Sequence, residues 1–545
     1  MAFFRWKGII LLSGVCLLLT IGCGKAQSPA PTSSPKFSVH ETRIAPACSM
    51  TISADLRHVA YYKRTNDGSG RCRVVVDGKE GKEYTHVSED IIFSPDSLHV
   101  AYSAMTERKY VVVVDGVEGK PIKGWILPGT MVFSPDSKCI ACFAEREKED
   151  KTWEHIVVVD GEEKAAYPAD LPGVPVFSPD SKRVAYVVRA EGKSFAVIDG
   201  AAGKSYDLIE AHSSRPMDQR AAIGYLPPGK KIPLEIIDWA SEQGHYTGGG
   251  IYFSPDSKRV AYVAKSGEQS IVVVDGVEEK TFKGDVVSVR FSPDSKHLLY
   301  RVIEPTDGGA KHCFYVMDGM EQKKYAYEPE YMSLYDWFIP STQISLFSPD
   351  SKHVAYWGKT DDKYVLVVDG MERPVFTKRP LPLPIFSPDS QHMACVAISG
   401  DKECVVIDGK EMKQFNGVSQ LIFGPDSSHI AYVVQIDNNA VVVVDGNAQK
   451  EYAAAVSKDK DATRTLALPY VSVWGLCFSP DSKHLAYIVA SGDKKLVIVD
   501  GTEAVVCEGD DEILCGRIVF DSPTLCHALV KRGEDVFLVE ILITE

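Results

Sequence analysis

The chain has 545 residues, is 45% hydrophobic and 25% charged, and carries a formal net charge of −14. That composition reads as a folded globular protein and excludes a disordered chain. The acidic balance argues against a nucleic-acid partner, which needs a basic face, and 13 cysteines in this length are too sparse for a disulfide-stapled scaffold.

Arg5 and Lys7 make a short positive region ahead of an uncharged run from Gly8 to Ile21. The run is shorter than the ~20 residues of a transmembrane helix and fits a secretory h-region. It ends Leu19-Thr20-Ile21-Gly22-Cys23. This resembles the lipobox of bacterial lipoproteins, with Thr20 standing where Leu is more usual. The resemblance implies a signal peptide over 1–22, cleavage before Cys23 and lipid on that cysteine. Gly24 in the next position implies the outer membrane of a two-membrane bacterium. An ordinary signal peptide and an uncleaved anchor are the alternatives. Residues 24–36, rich in Pro, Ser and Ala, read as a semi-extended tether.

Beyond the tether one unit repeats about eleven times. Phe-Ser-Pro-Asp-Ser begins at Phe93, Phe133, Phe177, Phe253, Phe291, Phe347, Phe386 and Phe478, and Phe423 opens a variant with Gly424. Degenerate copies stand at Ile52-Ser53-Ala54-Asp55 and Phe520-Asp521-Ser522-Pro523. The spacings from Phe93 to Phe478 are 40, 44, 76, 38, 56, 39, 37 and 55. The plain unit is therefore near 40 residues, three units carry insertions, and almost nothing remains for a separate catalytic domain. In each unit an apolar strand such as Val100-Ala101-Tyr102 follows the turn. Ten units then carry a run ending in Asp-Gly, the two-residue form that favours a type I′ hairpin. Each unit reads as four short strands. A four-stranded sheet of this size cannot cover its own faces, so the units must stack.

The pattern Phe-Ser-Pro-Asp-Ser-Lys-x-Val-Ala-Tyr resembles the WD40-like repeat of TolB-type periplasmic proteins, over about residues 37–545. The fold implied is all-β, a propeller of about eleven four-stranded blades. Propellers usually carry four to eight blades, so two tandem rings are favoured, the first over 37–345 with six blades and the second over 346–545 with five. An alternative split falls near 247. Residues near Phe37–Ala45 could pair into the last blade and lock a ring.

Eight of the 14 histidines occupy one register: His58, His99, His297, His353, His392, His429, His484 and His527. Arg183, Arg259 and Cys139 fill the slot in other copies. One such residue per blade cannot converge on a metal, so both these and the repeated turn aspartates read as structural, and no metal or cofactor is expected. The thiols outside the leader read mainly as small hydrophobes, with one or two disulfides as the alternative. Cys139 and Cys142 face opposite sides of a strand.

Insertions on a rigid scaffold are the better places for binding residues. Tyr325, Tyr327, Tyr331, Tyr335, Trp337 and Phe338 crowd one of them. Trp239, His245 and Tyr246 lie in another, and a third spans 447–474. No hydrolase, zinc-protease, phosphate-loop or dinucleotide-binding motif is present. The expected function is a non-enzymatic scaffold of the bacterial cell envelope, lipid-anchored and binding a protein or glycan. The alternative is a propeller hydrolase or lyase acting on a sugar or peptide in the channel.

Overall fold

The computed structural model describes residues 36–209, 250–327, 346–376, 384–453 and 473–544, apart from 47, 49, 66, 67, 69, 89, 107, 108, 307, 361, 362, 401, 438 and 493. The described chain forms eleven antiparallel sheets. The only helical turn among the described residues is a 3-10 turn at Leu514–Gly516. We number the sheets as blades in chain order: blade 1 over 51–80, then 86–118, 125–167, 176–202, 208–283, 285–326, 347–376, 385–415, 417–453, 473–508 and, as blade 11, 512–544. Blade 7 is the most reduced. Its first strand is a single bridge, Phe347 to Val354.

Within a blade the strands run from innermost to outermost in sequence order. The third strands are near-continuous Val runs because both of their faces are covered. In blade 9, Val441 and Val443 pack towards blade 8, whereas Val442 packs towards blade 10. The period of two thus divides one strand between two inter-blade cores. The repeated Tyr of the second strand does the same work at larger scale. Tyr102 meets Tyr84 of the blade before it edge-on, Tyr186 meets Tyr167, and Tyr487 meets Tyr452. Tyr300, Tyr432 and Tyr487 are among the largest fully buried side chains. A blade on its own would expose both Val faces, at ~1.5–3 kcal/mol for each large side chain.

The Phe-Ser-Pro-Asp-Ser turn links neighbouring blades. In blade 2 the Ser94 hydroxyl accepts from the His99 N–H at 2.9 Å. The Asp96 carboxylate accepts from the Leu98 N–H at 3.0 Å. Ser97, held at φ 65°, turns its hydroxyl back to blade 1 and accepts from the Asp55 N–H at 3.1 Å. The same donation runs from Asp96 to Ser137, Asp136 to Ser181, Asp180 to Ser257, Asp256 to Ser295, Asp294 to Ser351, Asp350 to Ser390, Asp389 to Ser427 and Asp426 to Ser482, all at 2.9–3.1 Å.

The seam between blades 11 and 1 is built differently. Leu56 takes the slot of the linking serine and is buried with Met50, Ile52, Leu514, Leu529 and Val536. The outer strand of blade 11 comes from the other end of the chain. Lys36–Pro46 pairs antiparallel with Asp535–Thr544, from Lys36 opposite Thr544 to Pro46 opposite Asp535.

These contacts correct the ring count expected from the sequence. The Asp294–Ser351 link and the core of Leu299, Tyr315, Phe347 and Tyr356 cross position 345. The Asp180–Ser257 link crosses position 247. Cores join every successive pair of blades and join blade 11 to blade 1. The molecule is one eleven-bladed circuit rather than two tandem rings.

All ten Asp-Gly pairs have positive φ at both residues, as at Asp77 (48°) and Gly78 (76°). The Asp then uses both carboxylate oxygens. Asp77 Oδ1 accepts from the Val59 N–H at 2.9 Å, and Oδ2 accepts from His58 Nδ1 at 2.7 Å. His99, His297, His353, His392, His429 and His484 repeat the ring contact at 2.6–2.8 Å. Arg183 and Arg259 substitute through Nε and lie over Phe253 and Phe291 of the next blade. A planar donor suits the slot, so His and Arg exchange there, while Cys139 fills it in blade 3.

The turn carboxylates give the fold a pH dependence. In Asp136, Asp180, Asp256 and Asp389 the hydrogen bond from the first Ser of the turn is the largest cause, and it holds the group below the ordinary carboxylate range. Asp256 falls to about 2. At Asp350 burial raises the value, but Lys352 and Ser348 outweigh it and bring the group to about 2. Carboxylates depressed in the folded state contribute stability above their unfolded value, and it is lost as pH falls through the folded value. The histidines run the other way. His58 and His429 are raised, first by their Asp-Gly carboxylates, so their contribution is present at low pH and is lost as pH rises through the raised value. The melting temperature is therefore expected to peak between about pH 4 and 7 and to fall steeply below about pH 4. Thermal melts across pH check this, and equal melting temperatures at acid and neutral pH would refute it.

Candidate functional site

Strand direction assigns every connection to one of two faces. The Phe-Ser-Pro-Asp-Ser turns and the Asp-Gly hairpins lie together on one, the turn face. The hairpins between second and third strands, and the connections from one blade's fourth strand to the next blade's first, lie on the other. Two of the three long insertions leave the described chain on this second face. Residues 328–345 and 454–472 stand between blades. Residues 210–249 instead interrupt the innermost strand of blade 5 part-way along, between Ile209 opposite Ala264 and Ile251 opposite Tyr262.

The same inner rim carries a cavity of about 280 Å³ between blades 2 and 3, lined by His86, Ser88, Asp90, Ser103, Tyr110, Trp125, Ile126 and Pro128. His86 and Trp125 head the innermost strands of their blades, pairing with Met105 and Glu145. Tyr110 opens the third strand of blade 2 opposite Met105. Blade adjacency therefore gathers three rings that the sequence keeps apart. Tyr110 and Trp125 lie nearly parallel, 8° apart with centroids at 6.3 Å. The His86 ring meets Tyr110 at 85° and 6.5 Å. Trp125 is 50% exposed, so solvent reaches it.

Two inner-strand loops fix the polar edge of the cavity. The Ser88 N–H donates to the Ser103 carbonyl at 2.9 Å. The Ser88 hydroxyl accepts from the Asp90 N–H at 3.0 Å, which leaves it a proton to donate. Asp90 Oδ2 accepts from the Gly129 N–H at 2.8 Å, tying the loop of blade 2 to that of blade 3. Gly129 has φ 78°, a conformation that favours glycine.

Of the aromatic residues expected to bind, two lie in the described chain. Tyr325 is 4% exposed and sits in the core between blades 6 and 7. Its hydroxyl donates to Glu372 Oε1 at 2.9 Å, and its ring fills the space where a side chain at Gly358 would stand. The fold uses Tyr325 as an inter-blade wedge, a correction to its expected place on a binding surface. Tyr327 lies beside the Arg301 and Lys311 cations, 5.7 and 5.8 Å from its ring centre. Tyr331, Tyr335, Trp337, Phe338, Trp239, His245, Tyr246 and the lipidation candidate Cys23 lie outside the described residues. The eleven cysteines in the described chain are free thiols. Burial pushes Cys142 up to about 12, which suits a core residue and not a nucleophile. His86, Tyr110 and Trp125 were not singled out from the sequence. The one available signal was a Trp at the head of an innermost strand, where blade 2 has His86.

A family model described as WD domain, G-beta repeat matches residues 463–500. No curated protein matches the chain. Among solved structures, the chain is similar to a eukaryotic initiation factor (12% identity, 78% of this chain and 97% of that chain covered, TM-score 0.32). It is similar to the β-propeller domain of the Trilobed protease from Pyrococcus furiosus (11%, 70% and 97%, 0.23) and to TolB from Acinetobacter baumannii (14%, 64% and 75%, 0.18). The chain is a β-propeller of eleven blades, one of which contains a stretch similar to a WD repeat.

Proposed function

We propose that the chain is a non-enzymatic scaffold of the bacterial cell envelope, held to a membrane by lipid on Cys23, which offers its insertion face to a protein partner. The polarity of the closing strand carries this reading. Lys36 pairs with Thr544, at the end of the third strand of blade 11, so the chain enters the propeller on the turn face. A tether over 24–36 spans at most about 45 Å when fully extended and attaches at the rim of that face. The opposite face, where the described chain breaks off after Tyr327 and after Ala453, is then the one turned away from the lipid. The turn face repeats the same short turns from blade to blade, whereas the insertion face differs from blade to blade, as specific recognition needs.

The test uses the full chain in its membrane. The Cys23→Ser variant is expected to move from the membrane fraction to the soluble one. Replacing 328–345 by a Gly-Ser linker is expected to abolish partner capture by in-membrane crosslinking. Reversing Lys182, Lys258 and Lys296, exposed on the turn face, is expected to leave capture intact. Capture lost with the lysines and kept with the linker would reverse the assignment of faces.

A further inference from the structure

We propose that the cavity between blades 2 and 3 is a binding site for one pyranose ring of a neutral glycan. This goes beyond the protein-partner reading and does not depend on it. Its central feature is the stacked pair of Tyr110 and Trp125, whose rings are 8° from parallel. An aromatic face carries negative charge density. It therefore attracts the polarised C–H groups on one side of a pyranose, and a flat indole ring matches that shape. Trp125, half-exposed, supplies the surface.

The edge chemistry agrees. A sugar in such a place must keep its hydroxyls hydrogen-bonded, because an unmade bond costs ~1–3 kcal/mol. Ser88 can donate, Asp90 can accept, and Ser103 also lines the cavity. The cavity, at about 280 Å³, is at the lower end of small-ligand sites, which suits one ring of a chain whose neighbours continue into solvent.

Three other ligands fit less well. A quaternary ammonium is held by several aromatic faces turned on one point. Here two rings are parallel, and the third meets Tyr110 in a T-shape, so one of that pair presents its edge to the other. A nucleotide needs cationic partners for its phosphate, and the lining contains no Lys or Arg. An apolar side chain from a protein would gain nothing from Ser88 and Asp90.

The experiment titrates the full chain with chitotriose and with cellotriose, read by Trp fluorescence and by saturation-transfer NMR. Saturable binding of at least one is expected. Trp125→Ala should weaken it at least tenfold, whereas Trp125→Phe should keep most of it. Trp153→Ala is the control, since Trp153 is exposed in the same blade but does not line the cavity. Retained melting temperatures show that the variants fold. Neither sugar binding, or equal loss in the Trp125→Ala and Trp153→Ala variants, would overturn the proposal. Tetramethylammonium binding that is lost in Asp90→Asn, with no sugar binding, would overturn it in favour of a cation site.

Discussion

Removing residues 36–46 is expected to open the ring and cost about 3–6 kcal/mol of stability, the net of the lost backbone ladder over the ordering of one strand. Ten residue pairs join that strand to Asp535–Thr544. Side chains staple it at both ends and in the middle. Thr544 Oγ1 donates to the Lys36 carbonyl at 2.8 Å, Arg532 Nη2 reaches Glu41 at 2.7 Å and Arg43 Nη2 reaches Asp535 at 2.7 Å. Ala45 is buried at the seam with Leu56 and Leu529. Without the strand, Asp535–Thr544 becomes a ten-residue open edge, a template for pairing with a second chain. Urea unfolding and size-exclusion chromatography are the measurements. A truncated chain that stays monomeric and unfolds at the same urea concentration would show that the ring holds without its closing strand. Ala45→Asp is the milder version, placing a charge in that core without touching the ladder.

Much of this was legible in the sequence, because the repeat writes its local physics eleven times. Phe-Ser-Pro-Asp-Ser announced the turn, and Asp-Gly announced positive φ at two successive residues. The Val runs announced strands covered on both sides. The guess that residues near Phe37–Ala45 complete the last blade also matches the pairing observed. Closure is a different kind of property. It depends on the angle between neighbouring sheets, summed around the circuit, and no residue records that sum. The insertions added to the difficulty. Asp294 and Ser351 make the same link as Asp256 and Ser295, but 57 residues separate them instead of 39. In sequence that gap resembles a boundary.

The candidate site shows the same limit from the other side. Aromatic density is a local signal, and it drew attention to Tyr325, which the fold consumes against Glu372 and Gly358. The Tyr110–Trp125 pair is non-local. Its two halves belong to different blades, and each looks like an ordinary strand residue in its own repeat. Only the wedge packing of blades 2 and 3 brings them together.

Replacing His527 by Leu is expected to cost about 3 kcal/mol, within the range for breaking a buried charged network, whereas the same change at His353 should cost less than about 1 kcal/mol. The two residues share one register but have different surroundings. His353 is 42% exposed, and its ring bonds the carboxylate of its own Asp-Gly turn and stacks on Phe386. His527 is fully buried. Its Nδ1 bonds Asp521 Oδ2 at 2.8 Å and its Nε2 bonds the Asp55 carbonyl of blade 1 at 2.7 Å. Arg57 of blade 1 grips Asp521 through Nε and Nη2 and reaches Glu540 through Nη1. Burial raises the Asp521 carboxyl, but Arg57 and His527 outweigh it and hold the group below its ordinary range. This cluster stands where nine of the other seams use an Asp N–H and a Ser hydroxyl, because Leu56 has taken the serine's place. Leucine at 527 would strand the Asp55 carbonyl in the seam and leave Asp521 with Arg57 alone. Urea unfolding of the two single variants compares them directly, and equal losses would mean that the cluster does no more for closure than an exposed pair does for one blade.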